Sequence, residues 1–313
     1  MLLGTEYERL VASAGGVSTL WSDPEFLTGF GESRGTWRVH YQGLPDEAQL
    51  ALPYFERSTP VGTIVTLPPL LRYCAPVFAE GMSPAARGRA LADACERISL
   101  QYGLTTLSFD PSTSALLPED LPGLQWRPTY VIQLGPEVDL DRLPNKTMRR
   151  RLRRAREHWQ LRTDTLTEEV HDVLETTYHR QGIAVPYDRA VLGEHFKALA
   201  ERGLAVSHQA VDADGCVQGA SIVIADQRAA YCWVSGSTDV GRAHDAGSLV
   251  LAEDVAWAHR TGRQSVDFLG SALPGPAENR RQLGGQLTHY AYVQRDRAWW
   301  AKARRWWRNR SGA

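Results

Sequence analysis

The chain has 313 residues, a formal net charge of −1 and 43% hydrophobic residues, which is enough apolar material for two domains or one two-lobed unit. No apolar run approaches the roughly 20 residues that a membrane-spanning helix requires, and no signal-peptide pattern opens the sequence. The four cysteines and nine histidines lack metal-ligand spacing. The composition therefore predicts a cytoplasmic protein with reduced, buried cysteines and no metal, and any attraction to polyanions must come from local patches.

The N-terminal part predicts a strand, a helix and a second strand. Residues Thr63–Leu67 form the first strand, and the proline pair Pro68-Pro69 follows it. A helix is predicted from Leu91 until Tyr102-Gly103, and Thr105–Phe109 form the next strand.

Between the two halves, Tyr130–Leu134 form a strand, and a run rich in arginine follows. Met148, Leu152, Ala155 and Trp159 recur at helical spacing, which predicts an amphipathic helix with a basic outer face. Its cations are Lys146, Arg149, Arg150, Arg151, Arg153, Arg154 and Arg156. Charge runs are usually solvated faces, but cations this dense repel one another unless an anion lies nearby.

The second half predicts helices at about Thr167–Arg180 and Arg189–Arg202. Strands at Ala205–Val211 and Gln218–Ala225 follow, and a buried strand covers Tyr231–Val234.

A stretch of small residues, 235–248, then leads into a helix that ends at Gly262, and the next strand covers Ser265–Leu269. A strand that feeds small residues into a helix N-terminus is an anion site, because free N–H groups and the helix dipole point at the ligand. The spacing is neither that of a P-loop nor that of a dinucleotide fingerprint. A different phosphate-bearing donor is therefore expected, and Ser248 is either its ligand or only the N-cap. The predicted ligands are Gly241, Arg242, Gly247 and Ser248.

This order resembles the C-terminal half of the GNAT fold, and more closely the GNAT proteins related to the Fem-type (FemAB-like) aminoacyltransferases. In that family the penultimate motif usually is Phe-Lys-x-x-Phe-Gly, whereas Asn279, Arg280 and Leu283 stand here. The resemblance implies an α/β fold of tandem GNAT-like lobes, each a mixed sheet flanked by helices, with the pyrophosphate of acyl-CoA on the turn. The matching motifs are Thr177–Gly182 with Pro186-Tyr187, Asp245–Leu249, Val266–Ser271 and Asn279–Gly285, with Tyr290 downstream.

The sequence also matches itself at a fixed offset, with Gly103 on Gly262 and Phe109 on Phe268. We infer a duplication in which the first copy lost its donor site, because Pro68-Pro69 removes N–H donors where the turn should begin. The expected domains are an N-terminal lobe at 1–135, a C-terminal acyltransferase lobe at 136–295, and a basic, Trp-rich C-terminal helix at 296–313.

Four residues are candidates for catalysis or substrate binding. Asp267 is an acid in an apolar strand, and is either catalytic or a hydrogen-bonded structural carboxylate. The phenol of Tyr290 is predicted to protonate the leaving thiolate, although core tyrosines look the same. Arg180 and Arg280 are candidate ligands for an anionic substrate group, with a helix C-terminal cation and a solvated residue as the respective alternatives.

The leading prediction is an N-acyltransferase that moves an acyl group from acyl-CoA to a small-molecule or peptide amine. The first alternative is a Fem-type enzyme that uses aminoacyl-tRNA and binds its phosphates through Arg149–Arg156. The second is a non-catalytic GNAT-like protein. The Trp and Arg residues of Trp299–Arg310 suit either peripheral membrane contact or a capping helix.

Overall fold

The computed structural model describes residues 3–14, 19–30, 35–43, 48–163, 165–270 and 273–298. The chain divides into two compact units. The first comprises Met1–Arg127 together with His289–Ala313, and the second comprises Pro128–Thr288. Within each unit the strands pair as a mixed β-sheet on which helices pack, as the sequence predicts.

The first unit is built around one long helix, whose buried face includes Leu91, Ala94 and Ile98. This helix begins at Pro84 rather than near Leu91, because the Ser83 side chain caps it by accepting from the amide of Ala86. The helices and strands here are α1 (Gly4–Ser13), α2 (Pro24–Thr28), β1 (Thr36–Gln42), β2 (Leu50–Thr59), β3 (Gly62–Thr66), β4 (Val77–Phe78), α3 (Pro84–Gln101), β5 (Leu104–Ser108), α4 (Pro111–Ser114) and the last part of β12 (Gln286–Asp296).

The second unit confirms the order of helices and strands predicted for residues 146–267 and adds one short strand and two short helices. Its helices and strands are the second half of β6 (Leu124–Gln133), α5 (Lys146–His158), β7 (Gln160–Thr163), α6 (Glu168–Arg180), α7 (Arg189–Glu201), β8 (Ala205–Val211), β9 (Val217–Ala225), β10 (Ala229–Ser237), α8 (Asp239–Ala243), α9 (Ala246–Arg260), β11 (Ser265–Asp267) and α10 (Pro274–Gln282).

The two units repeat one strand arrangement. In the second unit the order is β6-β11-β10-β9-β8-β7, and β10 runs parallel to β11, with Tyr231 opposite Asp267. In the first unit the order is β12-β5-β3-β2-β1, and β3 runs parallel to β5, with Val65 opposite Thr105. In both, an antiparallel strand lies on each side of the parallel pair. This repetition supports the inferred duplication.

The boundaries of the units differ from the predicted ones. The chain passes into the second unit within β6, after Arg127, and returns to the first within β12, after Thr288. Consequently, β6 follows β5 in sequence but pairs with β11. In the same way, β12 follows β11 in sequence but pairs with β5. The division at 135 and the lobe end at 295 therefore do not coincide with the structural units. Most of the expected C-terminal helix, from residue 299 onward, lies outside the described residues.

The core of the second unit holds a polar cluster beneath α9. The carboxylate of Asp254, which is fully buried, lies 2.6 Å from His208 Nδ1 of β8 and accepts a 2.8 Å hydrogen bond from Ser221 Oγ of β9. The thiol of Cys232 on β10 faces the same carboxylate, and its pKa is raised by burial and by the charge of Asp254. Helix α9 is thereby bonded to the neighbouring strands β8 and β9. Of the four cysteines predicted to be buried, Cys216 is exposed.

We expect Asp254→Ala to lower the free energy of unfolding by roughly 2–6 kcal/mol, or about 1–3 kcal/mol for each of the two buried polar groups left without an acceptor. Asp254→Asn keeps one oxygen acceptor and should lower the free energy of unfolding by less. Urea denaturation at constant pH measures the free energy of unfolding of both variants. Equal stabilities for the two variants would show that the hydrogen bonds of Asp254 do not matter to the fold.

Candidate functional site

The turn between β10 and α9 contains a helix that the sequence did not predict. Thr238 caps α8 by accepting from the amide of Gly241 at 2.9 Å, and α8 ends at Ala243. Asp245 then adopts a left-handed conformation with φ 62°, which aspartate tolerates better than most residues, and α9 begins at Ala246. The N-cap of α9 is therefore Asp245, and Ser248 lies within the first turn.

The N-terminus of α9 is uncapped. The Asp245 side chain makes no capping hydrogen bond, and the amides of residues 246–248 find no acceptor among the described residues. Leu249 is the first residue whose amide is bonded, to the carbonyl of Asp245 at 3.0 Å. N–H groups without an acceptor at the positive end of a 15-residue helix have the chemistry to bind an anion.

A guanidinium group stands at this helix end. Arg151 of α5 bonds the Asp245 carboxylate with Nε at 2.9 Å and Nη2 at 2.5 Å, and Nη2 lies 3.4 Å from Ser248 Oγ. Its Nη1 donates to Gln282 of α10 at 3.1 Å, and Asn279 Nδ2, also from α10, donates to Ser248 Oγ at 2.6 Å. Since Ser248 Oγ already accepts from Asn279 and faces Arg151, its own proton is available to a ligand.

From the sequence, Arg151 was only one of the cations of the basic run, and Asn279 and Gln282 had no predicted role. The one available signal was that Asn279 stands where the Fem-type motif usually has phenylalanine. The contacts of these residues join α5, α9 and α10, which are far apart in the sequence.

The two glycines predicted to bind the donor occupy different surroundings. A Cβ atom on Gly241 would lie 1.9 Å from the carbonyl oxygen of Gln218, so the backbone of β9 requires a glycine there. A Cβ atom on Gly247 would lie 3.5 Å from Ser237 Oγ, which is an ordinary contact. Gly241 therefore has a packing role, whereas Gly247 leaves space at the uncapped helix end.

The two arginines predicted near the turn both contact Asp239. Arg242 is exposed on α8, with Nη2 3.5 Å from the Asp239 carboxylate. Arg180, the last residue of α6, donates from Nη1 to the carbonyl of Ser237 at 3.2 Å and lies 3.6 Å from Asp239. The structure thus brings Arg180 to the end of β10, directly before the donor turn.

Asp267 and Arg280 meet at a second turn. Asp267 is buried and accepts from Thr129 Oγ1 at 2.6 Å and from the amide of Leu269 at 2.8 Å. Arg280 of α10 donates to the carbonyl of Gly270, and its guanidinium lies 5.8 Å from the centre of the Phe268 ring. These contacts agree with the structural alternative for Asp267, since its carboxylate supports the backbone that Arg280 contacts.

Tyr290 belongs to the first unit, whereas the other predicted site residues belong to the second. It is buried, and its ring packs edge-on against Tyr73 with the centroids 5.2 Å apart. This is the environment of a core aromatic residue.

The basic helix has the predicted arrangement. Met148, Leu152 and Ala155 are buried in the core of the second unit, and the Trp159 indole donates to the carbonyl of His244 at 2.9 Å. The exposed cations of α5 are Lys146, Arg149, Arg150, Arg153, Arg154 and Arg156. Only Arg151 of this run is turned towards α9.

Residues 145–279 match the family described as "Acetyltransferase (GNAT) domain". Among solved structures, the chain is similar to FemX at 12% identity, covering 93% of this chain and 96% of that chain with a TM-score of 0.64. It is also similar to the C-terminal domain of a putative lysylphosphatidylglycerol synthetase from Agrobacterium fabrum. The identity is 12%, the match covers 92% of this chain and 91% of that chain, and the TM-score is 0.56. A third similar structure is a tandem GNAT protein from the clavulanic acid biosynthesis pathway. The identity is 15%, the match covers 94% of each chain, and the TM-score is 0.52. No curated protein sequence matches the chain.

The predicted fold class and resemblance are therefore confirmed: the chain has a tandem GNAT fold, and residues 145–279 match the GNAT acetyltransferase domain. The uncapped end of α9 lies inside the matched segment. At these low identities the solved structures share the fold with this chain, and their substrates do not transfer to it.

Two further observations concern other ligands. Among the helices that the structure describes, none combines the length and apolar composition needed to cross a membrane. The described ranges also contain no group of three or more His, Cys, Asp or Glu side chains placed to hold a metal ion. The segment Trp299–Arg310, predicted to contact a membrane, lies outside the described residues.

The different surroundings of the glycines give a direct test. Gly241→Ala should lower the free energy of unfolding by roughly 1–3 kcal/mol, because the new methyl group overlaps the backbone at Gln218. Gly247→Ala should be neutral or stabilising by up to about 1 kcal/mol, since alanine is the better helix former. Urea denaturation of both variants measures the difference. Equal losses at the two positions would contradict the distinction drawn between them.

Proposed function

We propose that the protein is an N-acyltransferase that takes an acyl group from acyl-CoA and transfers it to an amine. The observation that supports this most is the uncapped N-terminus of α9 beside Arg151, within the segment that matches the GNAT acetyltransferase family. Such a helix end suits the pyrophosphate of CoA.

In this proposal the donor's pyrophosphate lies against the amides of Gly247 and Ser248. The Ser248 hydroxyl donates to a phosphate oxygen, and the absence of a side chain at Gly247 lets the phosphate approach the backbone. Arg151 adds a positive charge within 3.4 Å of Ser248 Oγ. Gly241 supports the turn, and Arg242 is an exposed cation beside it.

The reaction requires little chemistry from the protein. The amine attacks the thioester carbonyl, the C–N bond forms as the C–S bond breaks, and the proton lost by the amine ends on the CoA thiolate. Donors held at the developing oxyanion and leaving group lower the barrier. We keep the predicted assignment of thiolate protonation to the phenol of Tyr290, and we assign Asp267 the positioning of the backbone at residues 268–270.

The acceptor is proposed to be a small-molecule or peptide amine that also carries an anionic group. Arg180 and Arg280 are the proposed ligands of that group. Arg180 reaches the end of β10 beside the donor turn, and Arg280 lies at the turn after β11. A guanidinium carries five N–H donors, which is more than a single backbone carbonyl can accept.

We expect Gly247→Val to weaken binding of acetyl-CoA by about tenfold or more while the fold persists, because the branched side chain fills the space in front of the α9 amides. Isothermal titration calorimetry measures the affinity. The matched control is Gly193→Val in α7, where an added Cβ atom meets nothing within 4 Å. The wild-type titration should saturate at one acetyl-CoA per chain, since Pro68-Pro69 follows β3 where the first copy's turn begins.

An affinity that Gly247→Val leaves unchanged would exclude this donor site. A stoichiometry of two would contradict the loss of the donor site in the first unit. Binding without turnover, tested with a panel of amines, would favour the non-catalytic alternative.

The second candidate function keeps the fold and replaces the donor with aminoacyl-tRNA. The observation that favours it is the exposed basic face of α5. Each RNA phosphate that a protein neutralises contributes roughly −0.7 to −0.9 to the slope of log affinity against log salt concentration.

We expect tRNA to bind weakly, with a slope no steeper than that of a variant carrying Arg150→Gln, Arg153→Gln and Arg154→Gln, because the whole chain has a net charge of −1. Filter binding at several salt concentrations measures both slopes. These three side chains are exposed, so the substitutions should spare the core. A wild-type slope several units steeper than the variant's would make aminoacyl-tRNA the leading donor.

A further inference from the structure

The outer face of α5 carries more positive charge than the described structure uses. Arg151 is paired with Asp245, and Arg149 donates to the carbonyl oxygens of Pro144 at 2.8 Å and Arg142 at 3.4 Å. The remaining five exposed cations have no carboxylate partner within the described ranges; they are Lys146, Arg150, Arg153, Arg154 and Arg156. Five unpaired cations along a helix of 13 residues repel one another, so an acidic partner would stabilise them.

This basic face adjoins the proposed donor site. Arg151 reaches α9 at Asp245, and Arg154 is its neighbour on the helix, three positions away. At the other end of α5, the His158 ring lies 4.4 Å from the His244 ring, and the Trp159 indole donates to the His244 carbonyl. These contacts fix α5 beside the start of α9, so a partner on its outer face would lie next to the donor's phosphates.

The composition of the face indicates the kind of partner. Its apolar residues, Met148, Leu152 and Ala155, are buried in the core, and the exposed residues of α5 include no apolar side chain; the one exposed aromatic ring is that of His158, which packs against His244. Insertion into a membrane needs apolar or aromatic side chains along the inserted face. Guanidinium groups bind carboxylates in bidentate pairs, and Arg150, Arg153 and Arg154 repeat at the spacing of facing positions on a helix.

We propose that the outer face of α5 docks an acidic carrier protein that delivers the acyl group as a phosphopantetheine thioester. This rests on the proposed function, because the carrier's arm would enter the same site and its phosphate would meet the same α9 amides. In the proposed function the pyrophosphate of CoA lies at that helix end, so binding of CoA does not account for five further cations along α5.

The transfer step is unchanged by the carrier. The acceptor nitrogen attacks the thioester carbonyl, the C–N bond forms and the C–S bond breaks. The proton lost by the amine passes to the phosphopantetheine sulfur, which leaves an amide and the free thiol of the carrier.

The experiment compares two donors that carry the same acyl group. The dissociation constants of acetyl-CoA and of an acidic acyl carrier protein loaded with acetyl-phosphopantetheine are measured by calorimetry for three proteins. These are the wild type, the variant with Arg150→Gln, Arg153→Gln and Arg154→Gln, and a matched variant with Lys197→Gln, Arg202→Gln and Arg228→Gln. The matched variant removes three exposed charges from α7 and its end and from the turn before β10.

We expect the α5 variant to bind the carrier about tenfold more weakly, as the loss of three exposed ion pairs implies, and to bind acetyl-CoA within about twofold of the wild type. The matched variant should bind both donors as the wild type does. Gly247→Val should weaken both, because the arm and CoA share the α9 amides.

Three outcomes overturn the proposal. Binding of acetyl-CoA without binding of the carrier would exclude docking and leave the proposed function intact. Equal weakening of both donors in the α5 variant would assign these cations to the phosphates of CoA. Binding of neither donor, together with salt-dependent binding of tRNA that the α5 variant loses, would overturn the proposed function as well.

Discussion

The ion pair between Arg151 and Asp245 leaves the first amides of α9 without a side-chain cap. Asp245 stands where a side chain normally caps a helix, but its left-handed backbone and the guanidinium of Arg151 hold the carboxylate away from these amides. A carboxylate that capped those amides would satisfy them and cancel the positive end of the helix. The amides therefore stay uncapped only while α5 is in place, and α5 is held there by Met148 and Leu152 in the core. Apolar packing on one side of a helix thus sets the electrostatics at the end of another.

The same helix is fixed at its middle by polar contacts. Asp254 bonds Ser221 and lies against His208, so α9 meets the sheet through directional contacts as well as through apolar side chains such as Leu249 and Val250. Apolar contacts alone tolerate small sliding movements, whereas a buried hydrogen-bond network has few alternative arrangements. The cluster lies two turns along the helix from the free amides. It fixes the position of α9, and therefore of the turn before it, relative to the sheet.

Much of the fold could be predicted from the sequence because it depends on periodic, local signals. The apolar stripe of α5 and the strand–helix–strand order around α9 are examples, and both agree with the structure. The one-turn helix α8 was missed because five residues carry no periodicity. The network at α9 was missed because its partners are 94 and 131 positions apart in sequence, as with Arg151 and its contacts to Asp245 and Gln282. Gly241 and Gly247 could not be told apart either, since their difference is whether the backbone of Gln218 lies against them.

The exchange of the last strands between the two repeats has a consequence for biosynthesis. β5 pairs with β3 on one side and with β12 on the other, and β12 follows the entire second unit in sequence. As the chain emerges from the ribosome, the first sheet therefore presents β5 as an open edge until nearly all of the described chain has been made. Open edges recruit other strands, so the nascent chain is exposed to aggregation during that interval. A fragment cut near residue 135 would keep this edge permanently, because the first repeat, unlike the second, is not a single continuous piece of the chain.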